Sequence, residues 1–495
     1  MKNIHRMKNI RKSGKDNASL MSGRKTGQWF EGGFGDNESL KPLQMHEDSA
    51  RSENTQDIHP ESRFLRWNKY NYIKKNKNNE YLLFNCSTNN HMYMVREIKE
   101  LIESNIDTVD QIESIHPQLY DFLKQKQFIV DDNFNEVRDA IRRMKQDLNS
   151  ADYYELFINP TLDCNLRCWY CYETLKQNSC VDNRVLQSIM TFIRNKVESR
   201  ILKEIQISFF GGEPLLRYNG VIWPIIQFTK KICVENNKKC YFNFTTNGVL
   251  LTKKIVDQLY TIGANCVFQV PFDGNKEYHD RTKKYRNGKG TFDKVLENVM
   301  YALSKGFKFT IRCNYTSENL HSFDELISIF TKYAAECIDY GLLVFTYHKI
   351  WQADRTVQMG QIVGRYKAKA TSLDMSFYRC YADRENSAVI NYNGDVYNCT
   401  ARDFNPQERE GYLNEKGEII YNKKHHERMK IRFSGKECLN CMIFPICNLC
   451  SQNKLALQGT YKQCPRFYSE QDKEKVLLKK IETDIISGMD SKGTP

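Results

Sequence analysis

Leu156-Phe157-Ile158-Asn159-Pro160-Thr161-Leu162-Asp163-Cys164-Asn165-Leu166-Arg167-Cys168-Trp169-Tyr170-Cys171 reads as an apolar strand, a turn and then three cysteines on one loop. Three thiolates so close together can hold three irons of a 4Fe-4S cluster and leave the fourth iron without a protein ligand. A zinc site more often shows paired Cys-x-x-Cys knuckles and four ligands. An open iron just past a strand is a place for chemistry, and the flanking sequence supplies the scaffold for it.

From Tyr154 to about Tyr347 apolar strands alternate with amphipathic helices. The strands are Leu156 to Ile158, Ile205 to Phe210, Tyr241 to Phe244, Cys266 to Val270, Phe309 to Arg312 and Leu342 to Phe345. Between them lie helical stretches such as Val185 to Val197, Lys254 to Ile262 and Phe292 to Ser304. Repeated βα units predict a parallel sheet with working residues on loops at the strands' carboxyl ends. Six repeats predict an incomplete barrel, so the fold class is α/β, a partial (β/α)6 TIM-like barrel over residues 151–350.

The flanks read differently. Residues 1–60 are rich in Ser, Asn, Gly, Lys and Glu without sustained periodicity and read as a disordered extension. Over residues 61–150, Tyr70 to Ile73 and Tyr81 to Phe84 flank the turn-prone Asn76-Lys77-Asn78-Asn79, predicting a β-hairpin. Helical faces follow at Met94, Ile98, Leu101 and Ile102 and at Leu119 to Leu123, then an extended Phe128 to Val130. This predicts a small winged-helix-like module, of a kind that binds peptides by adding a strand to an open sheet edge, or else a cap on the next domain. After about residue 378 come short segments with cysteines and turns, and residues 468–495 read as an amphipathic helix and a tail.

The chain has 495 residues, 40% hydrophobic and 27% charged, a globular composition able to bury two or three cores. Its 17 cysteines are an odd number, so complete internal pairing is excluded. The basic start (Lys2, Arg6, Lys8, Arg11, Lys12, Lys15) leads into polar residues instead of an apolar secretory segment, and no run approaches the roughly 18 apolar residues of a membrane span. A cytoplasmic, reducing setting follows, in which clustered cysteines hold metal. The net charge of +13 suits an acidic peptide or an anionic cofactor. Nucleic acid is not expected, because no RNP motif, helix-turn-helix pattern or zinc-finger histidine pair accompanies that charge.

Cys-x-x-x-Cys-x-aromatic-Cys after the first strand of such a barrel resembles the radical S-adenosylmethionine enzymes, over about residues 154 to 465. The resemblance implies that Cys164, Cys168 and Cys171 hold the cluster and that its open iron chelates the amino and carboxylate groups of S-adenosylmethionine. On reduction a 5′-deoxyadenosyl radical then takes a substrate hydrogen. Gly211-Gly212-Glu213-Pro214 resembles the motif that meets the methionine amine. Tyr170, Thr246 and Asn247 sit where that family contacts the cofactor, and Arg312 resembles the arginine that pairs with the methionine carboxylate. Gln269-Val270-Pro271-Phe272-Asp273-Gly274 matches the fourth-strand segment, but Pro271 stands where many relatives have a cofactor-contacting serine.

Cys380, Cys399, Cys438, Cys441, Cys447, Cys450 and Cys464 resemble the SPASM domain, placed at residues 375–467, which carries two auxiliary 4Fe-4S clusters. By that resemblance Cys438, Cys441, Cys447 and Cys464 hold the outer cluster and Cys380, Cys399 and Cys450 the inner one. The inner set lacks a fourth cysteine, which leaves an open or substrate-ligated iron, a histidine or a water as alternatives. Only Asn448 and Leu449 separate Cys447 from Cys450, one residue fewer than is usual. The other seven cysteines read as small core residues.

The combination resembles the maturases of ribosomally made peptides, with a PqqD-like first module that holds the leader of a precursor peptide. The expected function is a radical peptide maturase that forms a crosslink, thioether or epimer, served by a reductant such as flavodoxin or ferredoxin. The alternatives are an anaerobic sulfatase-maturating enzyme and a non-catalytic electron-transfer protein. Sulfatase maturases place an acid directly after the second SPASM cysteine. Here Thr400 follows Cys399, and Asp403 is the nearest acid/base candidate.

Overall fold

Six strands between residues 153 and 349 alternate fully buried with half-buried positions, the pattern expected when one face of a sheet is covered by helices and the other looks into a lumen. They are β6 (Tyr153–Ile158), β7 (Glu204–Phe209), β8 (Lys239–Thr245), β9 (Cys266–Phe272), β10 (Lys308–Tyr315) and β11 (Leu343–Lys349). All five neighbouring pairs are parallel, with Leu156 opposite Ile207 and Thr310 opposite Gln269. The computed structural model describes residues 64–75, 80–285, 287–350, 352–353, 369–370, 380–401, 404–457 and 464–489. The extension over residues 1–60 and the turn at 76–79 lie outside them.

The outer row of the sheet carries Leu156, Ile207, Phe244, Phe268 and Ile311 into the main core. Phe209, Phe244, Phe268 and Phe309 form an aromatic ladder across four strands, with ring centroids 5.2, 4.9 and 5.1 Å apart. Each such contact adds about 1 kcal/mol beyond area burial, so the ladder fixes strand order as well as stability. The inner row is polar: Glu155, Gln206, Asn243, Gln269, Thr310 and Arg312 are half-buried. Gln206 Nε2 donates to Glu155 Oε1 at 2.8 Å. The expected parallel sheet is therefore present. Helices at Trp223–Glu235 and Phe323–Asp339, in addition to those read from the sequence, complete the alternation.

The sheet does not stop at the sixth strand. The two-residue β12 (Lys369–Ala370) adds beside β11. On the other edge β13 (Ser387–Ile390) pairs in parallel with β6, Ile390 lying opposite Ile158. Then β14 (Asp395–Tyr397), β15 (Gly411–Leu413) and β16 (Ile419–Tyr421) follow antiparallel, giving eleven hydrogen-bonded strands in one sheet.

Toward the amino terminus, β2 (Asn71–Lys75), β3 (Tyr81–Asn85) and β4 (His91–Met94) form an antiparallel sheet with Ile73 opposite Leu83, the pairing expected of the hairpin. A separate pair joins β1 (Leu65–Trp67) to β5 (Ile129–Asp131). Leu83 packs with Ile102, Ile112, Leu123 and Phe128, while Leu82 and Phe84 face the other way. That second face joins Met144, Ile443, Phe444, Ile446, Leu477 and Ile481 in a core shared with the carboxyl-terminal segment and the helix Glu470–Met489. Cys86 Sγ donates to the Met442 carbonyl at 3.2 Å, and Lys69 Nζ to that of Leu439 at 3.0 Å. No helix among the described residues is long and apolar enough to cross a membrane.

Candidate active site and cysteine groups

The loop after β6 is held from below by the loop after β7. Gly212 N donates to the Thr161 carbonyl at 3.2 Å and Glu213 N to that of Asp163 at 2.8 Å. A Cβ on Gly211 would run into the Thr161 carbonyl oxygen, and one on Gly212 into that of Asp163; Gly211 also has φ +108°. Glycine is required here so that two backbones can touch, and the chain they touch is the one carrying the cysteines. Cys171 N bonds the Cys168 carbonyl at 3.1 Å, closing the loop on itself. Burial raises the Cys164 thiol to about 12, with the charges of Glu213, Cys168 and Cys171 adding to it. Metal binding here must displace protons.

Glu213 is fully buried and pins the loop after β8 to this assembly. Its carboxylate accepts from Thr246 Oγ1 at 2.7 Å, Asn247 N at 2.8 Å and Leu215 N at 3.0 Å. Asn247 Nδ2 in turn donates to Asn165 Oδ1 at 2.8 Å and lies 3.9 Å from Cys164 Sγ. Burial lifts Glu213 to about 7 from the usual 4.5, against those three donors. A raised carboxyl keeps its proton longer in the folded than in the unfolded chain, so stability falls as pH rises from about 4.5 to 7 and is level above that. At about 1.4 kcal/mol per unit the difference is about 3 kcal/mol. Glu213→Gln is expected to flatten this part of the profile in urea titrations of metal-free protein between pH 5 and 8. Parallel profiles for the two proteins would refute the assignment.

Of the residues expected to contact a cofactor, Gly211, Glu213, Pro214 and Thr246 are buried beneath the cysteine loop, whereas Gly212, Asn247, Tyr170 and Arg312 are half-buried. Arg312 lies on the inner row of β10, its Nε 3.0 Å from Asn314 Oδ1. Burial lowers its pKa, and the nearby Tyr172, Tyr170 and Asp273 act against that. Burial, with the charge of Glu173 adding to it, raises the Tyr172 hydroxyl. His348, on β11, is pushed down to about 4 by burial and by Arg312 and is neutral at pH 7.

Sequence reading missed Lys283 and Asn314, which join Tyr170 and Asp273 in a buried polar cluster beside Cys168. Tyr170 Oη donates to Asp273 at 2.8 and 2.9 Å to its two oxygens, and Asn314 Nδ2 donates to Tyr170 Oη at 3.0 Å. Lys283 Nζ lies 3.9 Å from Asp273 Oδ2 and 3.6 Å from Cys168 Sγ. Burial opposes the lysine's charge, but Asp273, Cys168 and Tyr170 together hold its pKa well above the usual value. Flanked by Thr282 and Lys284, Lys283 carries no sequence mark of this environment.

The carboxyl-terminal cysteines fall into two groups. Burial pushes the Cys380 thiol up to about 12, with Cys399 and Cys450 adding to it. Cys438 and Cys441 are each raised by burial and by both Cys447 and Cys464. Cys438, Cys441, Cys447 and Cys464 line a cavity of about 360 Å³, which Ile443, Phe444 and Leu449 close with apolar surface. Among the described residues no three Cys, His, Asp or Glu side chains converge on one point as a single ion requires; the chemistry and spread of these thiols fit a larger, sulfur-ligated group. Around the first group, Arg428 donates to Glu410 at 2.5 and 2.8 Å, to the Ala382 carbonyl at 2.7 Å and to Ser451 Oγ at 3.0 Å. Asp383 accepts from Ser451 N at 3.0 Å. One buried guanidinium thus ties the chain beside Cys380 to the chain beside Cys450. Asp403 lies outside the described residues.

Residues 158–329 match the Radical SAM superfamily. The chain carries a Radical SAM domain. Its relatives include the radical SAM cyclopropyl synthase TigE of Paramaledivibacter caminithermalis, 26% identical over 48% of this chain and 56% of that protein. A cysteine-type anaerobic sulfatase-maturating enzyme of Clostridium novyi is 24% identical over 34% of this chain and 46% of that protein. The chain thus spans about half the length of these two relatives. The structure of Streptococcus suis SuiB bound to S-adenosylmethionine aligns with 82% of this chain and 99% of that one, at 15% identity and a TM-score of 0.44.

Proposed function

We propose that this chain is a radical S-adenosylmethionine enzyme that modifies a ribosomally made precursor peptide. The observation that carries the reading is that Cys164, Cys168 and Cys171 share one closed loop within the matched residues 158–329, while Cys438, Cys441, Cys447 and Cys464 line one cavity. Cys164, Cys168 and Cys171 would hold a 4Fe-4S cluster with one open iron. Cys380, Cys399 and Cys450, and separately Cys438, Cys441, Cys447 and Cys464, would hold auxiliary clusters in a SPASM-like domain. Cluster and S-adenosylmethionine together supply a 5′-deoxyadenosyl radical for hydrogen abstraction.

The protein's own residues frame that chemistry. Arg312 would present its cation to the methionine carboxylate, with Gly212, Asn247 and Tyr170 as further contacts of the same cofactor. Glu213 acts through Thr246 and Asn247, which it holds. In residues 61–150, proposed here as a PqqD-like recognition module in a winged-helix-like arrangement, β4 pairs only with β3 among the described residues, and its other edge is the one proposed for a leader strand. A crosslink, thioether or epimer is the expected product, and the electron comes from a flavodoxin or ferredoxin.

The second reading, formylglycine formation, is favoured by the likeness to sulfatase-maturating enzymes. Against it, Thr400 follows Cys399, and Tyr381 engages both its hydroxyl and its amide at 2.7 Å. Anaerobic reconstitution with dithionite and S-adenosylmethionine is expected to yield 5′-deoxyadenosine, and mass spectrometry to show a hydrogen-abstraction product on a short peptide encoded beside the gene. Deoxyadenosine absent from cluster-replete protein would sink both enzyme readings in favour of an electron carrier. Turnover of a sulfatase-derived cysteine or serine peptide alone would select the second.

A further inference from the structure

We propose that Lys283 is a positioning residue for the iron–sulfur centre of the Radical SAM loop: its ammonium donates to the Cys168 sulfur and makes that centre easier to reduce. The inference rests on the reading above that Cys168 is a cluster ligand.

Three observations carry it. Lys283 Nζ is 3.6 Å from Cys168 Sγ, within reach of a hydrogen bond to sulfur, and 5.1 Å from the centre of the Tyr170 ring. Its side chain is 4% exposed, so water does not compete for the charge. Its backbone is clamped, with Lys283 N on the His279 carbonyl at 2.7 Å and Thr291 Oγ1 on the Lys283 carbonyl at 2.6 Å.

A buried ammonium must be paired, and the obvious partner, Asp273, is a poor one. At 3.9 Å it stands well beyond the usual 2.7 to 2.9 Å of a charge-assisted bond, and its two oxygens share the Tyr170 hydroxyl proton at 2.8 and 2.9 Å. Asp273 is therefore turned by Tyr170 and Asn314, and it leaves the ammonium on the sulfur side. The potential of such a centre follows its net charge, the hydrogen bonds to its sulfurs and its exposure. Reduction adds one negative charge, and a fixed cation in a water-poor setting stabilises the reduced form more than the oxidised one.

The test is a potentiometric titration of the reconstituted full-length protein, followed by electron paramagnetic resonance, reading the signal that changes when S-adenosylmethionine is added. In Lys283→Gln the ratio of reduced to oxidised centre at the wild-type midpoint is expected to fall about tenfold, a shift of about 59 mV for one electron. Lys283→Arg should recover most of it. Asp273→Asn removes the competing anion and should shift the midpoint the opposite way, a sign that loosened packing does not produce. Iron content and melting temperature are read alongside, and if Lys283→Gln fails to keep iron, the Arg and Asn variants decide by the same signs. Unchanged midpoints, or shifts in one direction for both residues, would overturn the proposal. A wild-type protein without any signal responsive to S-adenosylmethionine would instead overturn the assignment of the cysteine loop.

Discussion

Anaerobically reconstituted protein with Cys164, Cys168 and Cys171 all changed to alanine is expected to lose the iron of one cluster and all 5′-deoxyadenosine above background, while keeping the iron held elsewhere. The reason is geometric. The three thiols leave one short loop, Cys171 N bonds back to the Cys168 carbonyl, and the loop rests on a backbone floor at Gly211 and Gly212. On the proposed reading these thiols anchor the open iron, and their loss abolishes the rate instead of reducing it. Iron analysis and chromatography of the nucleoside separate the two losses. Retained deoxyadenosine would mean that the reactive centre lies in another cysteine group.

The second large effect is expected far from that loop, at Arg428. Its side chain is 3% exposed and Glu410 is 2% exposed, so Arg428→Met leaves a carboxylate buried without its cation. Breaking such a pair from one side costs about 3 to 5 kcal/mol, and His425, whose Nδ1 is 3.0 Å from Glu410, offsets only part of it. The lost bonds to the Ala382 carbonyl and Ser451 also free the segments next to Cys380 and Cys450 from each other. Denaturant unfolding should show the stability loss, and iron analysis a deficit confined to the group Cys380, Cys399 and Cys450. The double variant Arg428→Met with Glu410→Leu should recover most of the stability, because the orphaned charge is then gone. A single variant as stable as wild type would show that the pair is dispensable.

The parallel sheet was legible because its signals are local. Alternation along Cys266 to Val270 and helical spacing over Val185 to Val197 each sit within one element, and the observed β9 and the helix Asn183–Val197 extend those readings by about two residues at one end. The cysteine loop was legible for the same reason. What escaped depends on residues distant in sequence. The pairing of Ile390 with Ile158 joins strands more than two hundred residues apart, and no local pattern announces a parallel partner that remote. Lys283 looks like one of two solvated lysines until the fold buries it against Asp273 and Cys168. Glu213 was noted for its place in a motif, but its role as a buried clasp between three loops appears only when Thr246 and Asn247 arrive beside it. The glycines of the same motif also let the cysteine loop's own backbone close on them, a contact visible only in the fold.

The unbroken run of strands from β12 to β16 has a mechanical consequence. The segment bearing Cys399 is not a door on a tether beside the barrel; through β13 it is laced to β6, the strand from which the cysteine loop springs. Swinging one part away from the other would tear main-chain hydrogen bonds out of a dry interior, where each orphaned group is costly. Any relative movement is therefore left to the connecting loops, and the strand before Cys399 stays in one sheet with the strand that leads to Cys164.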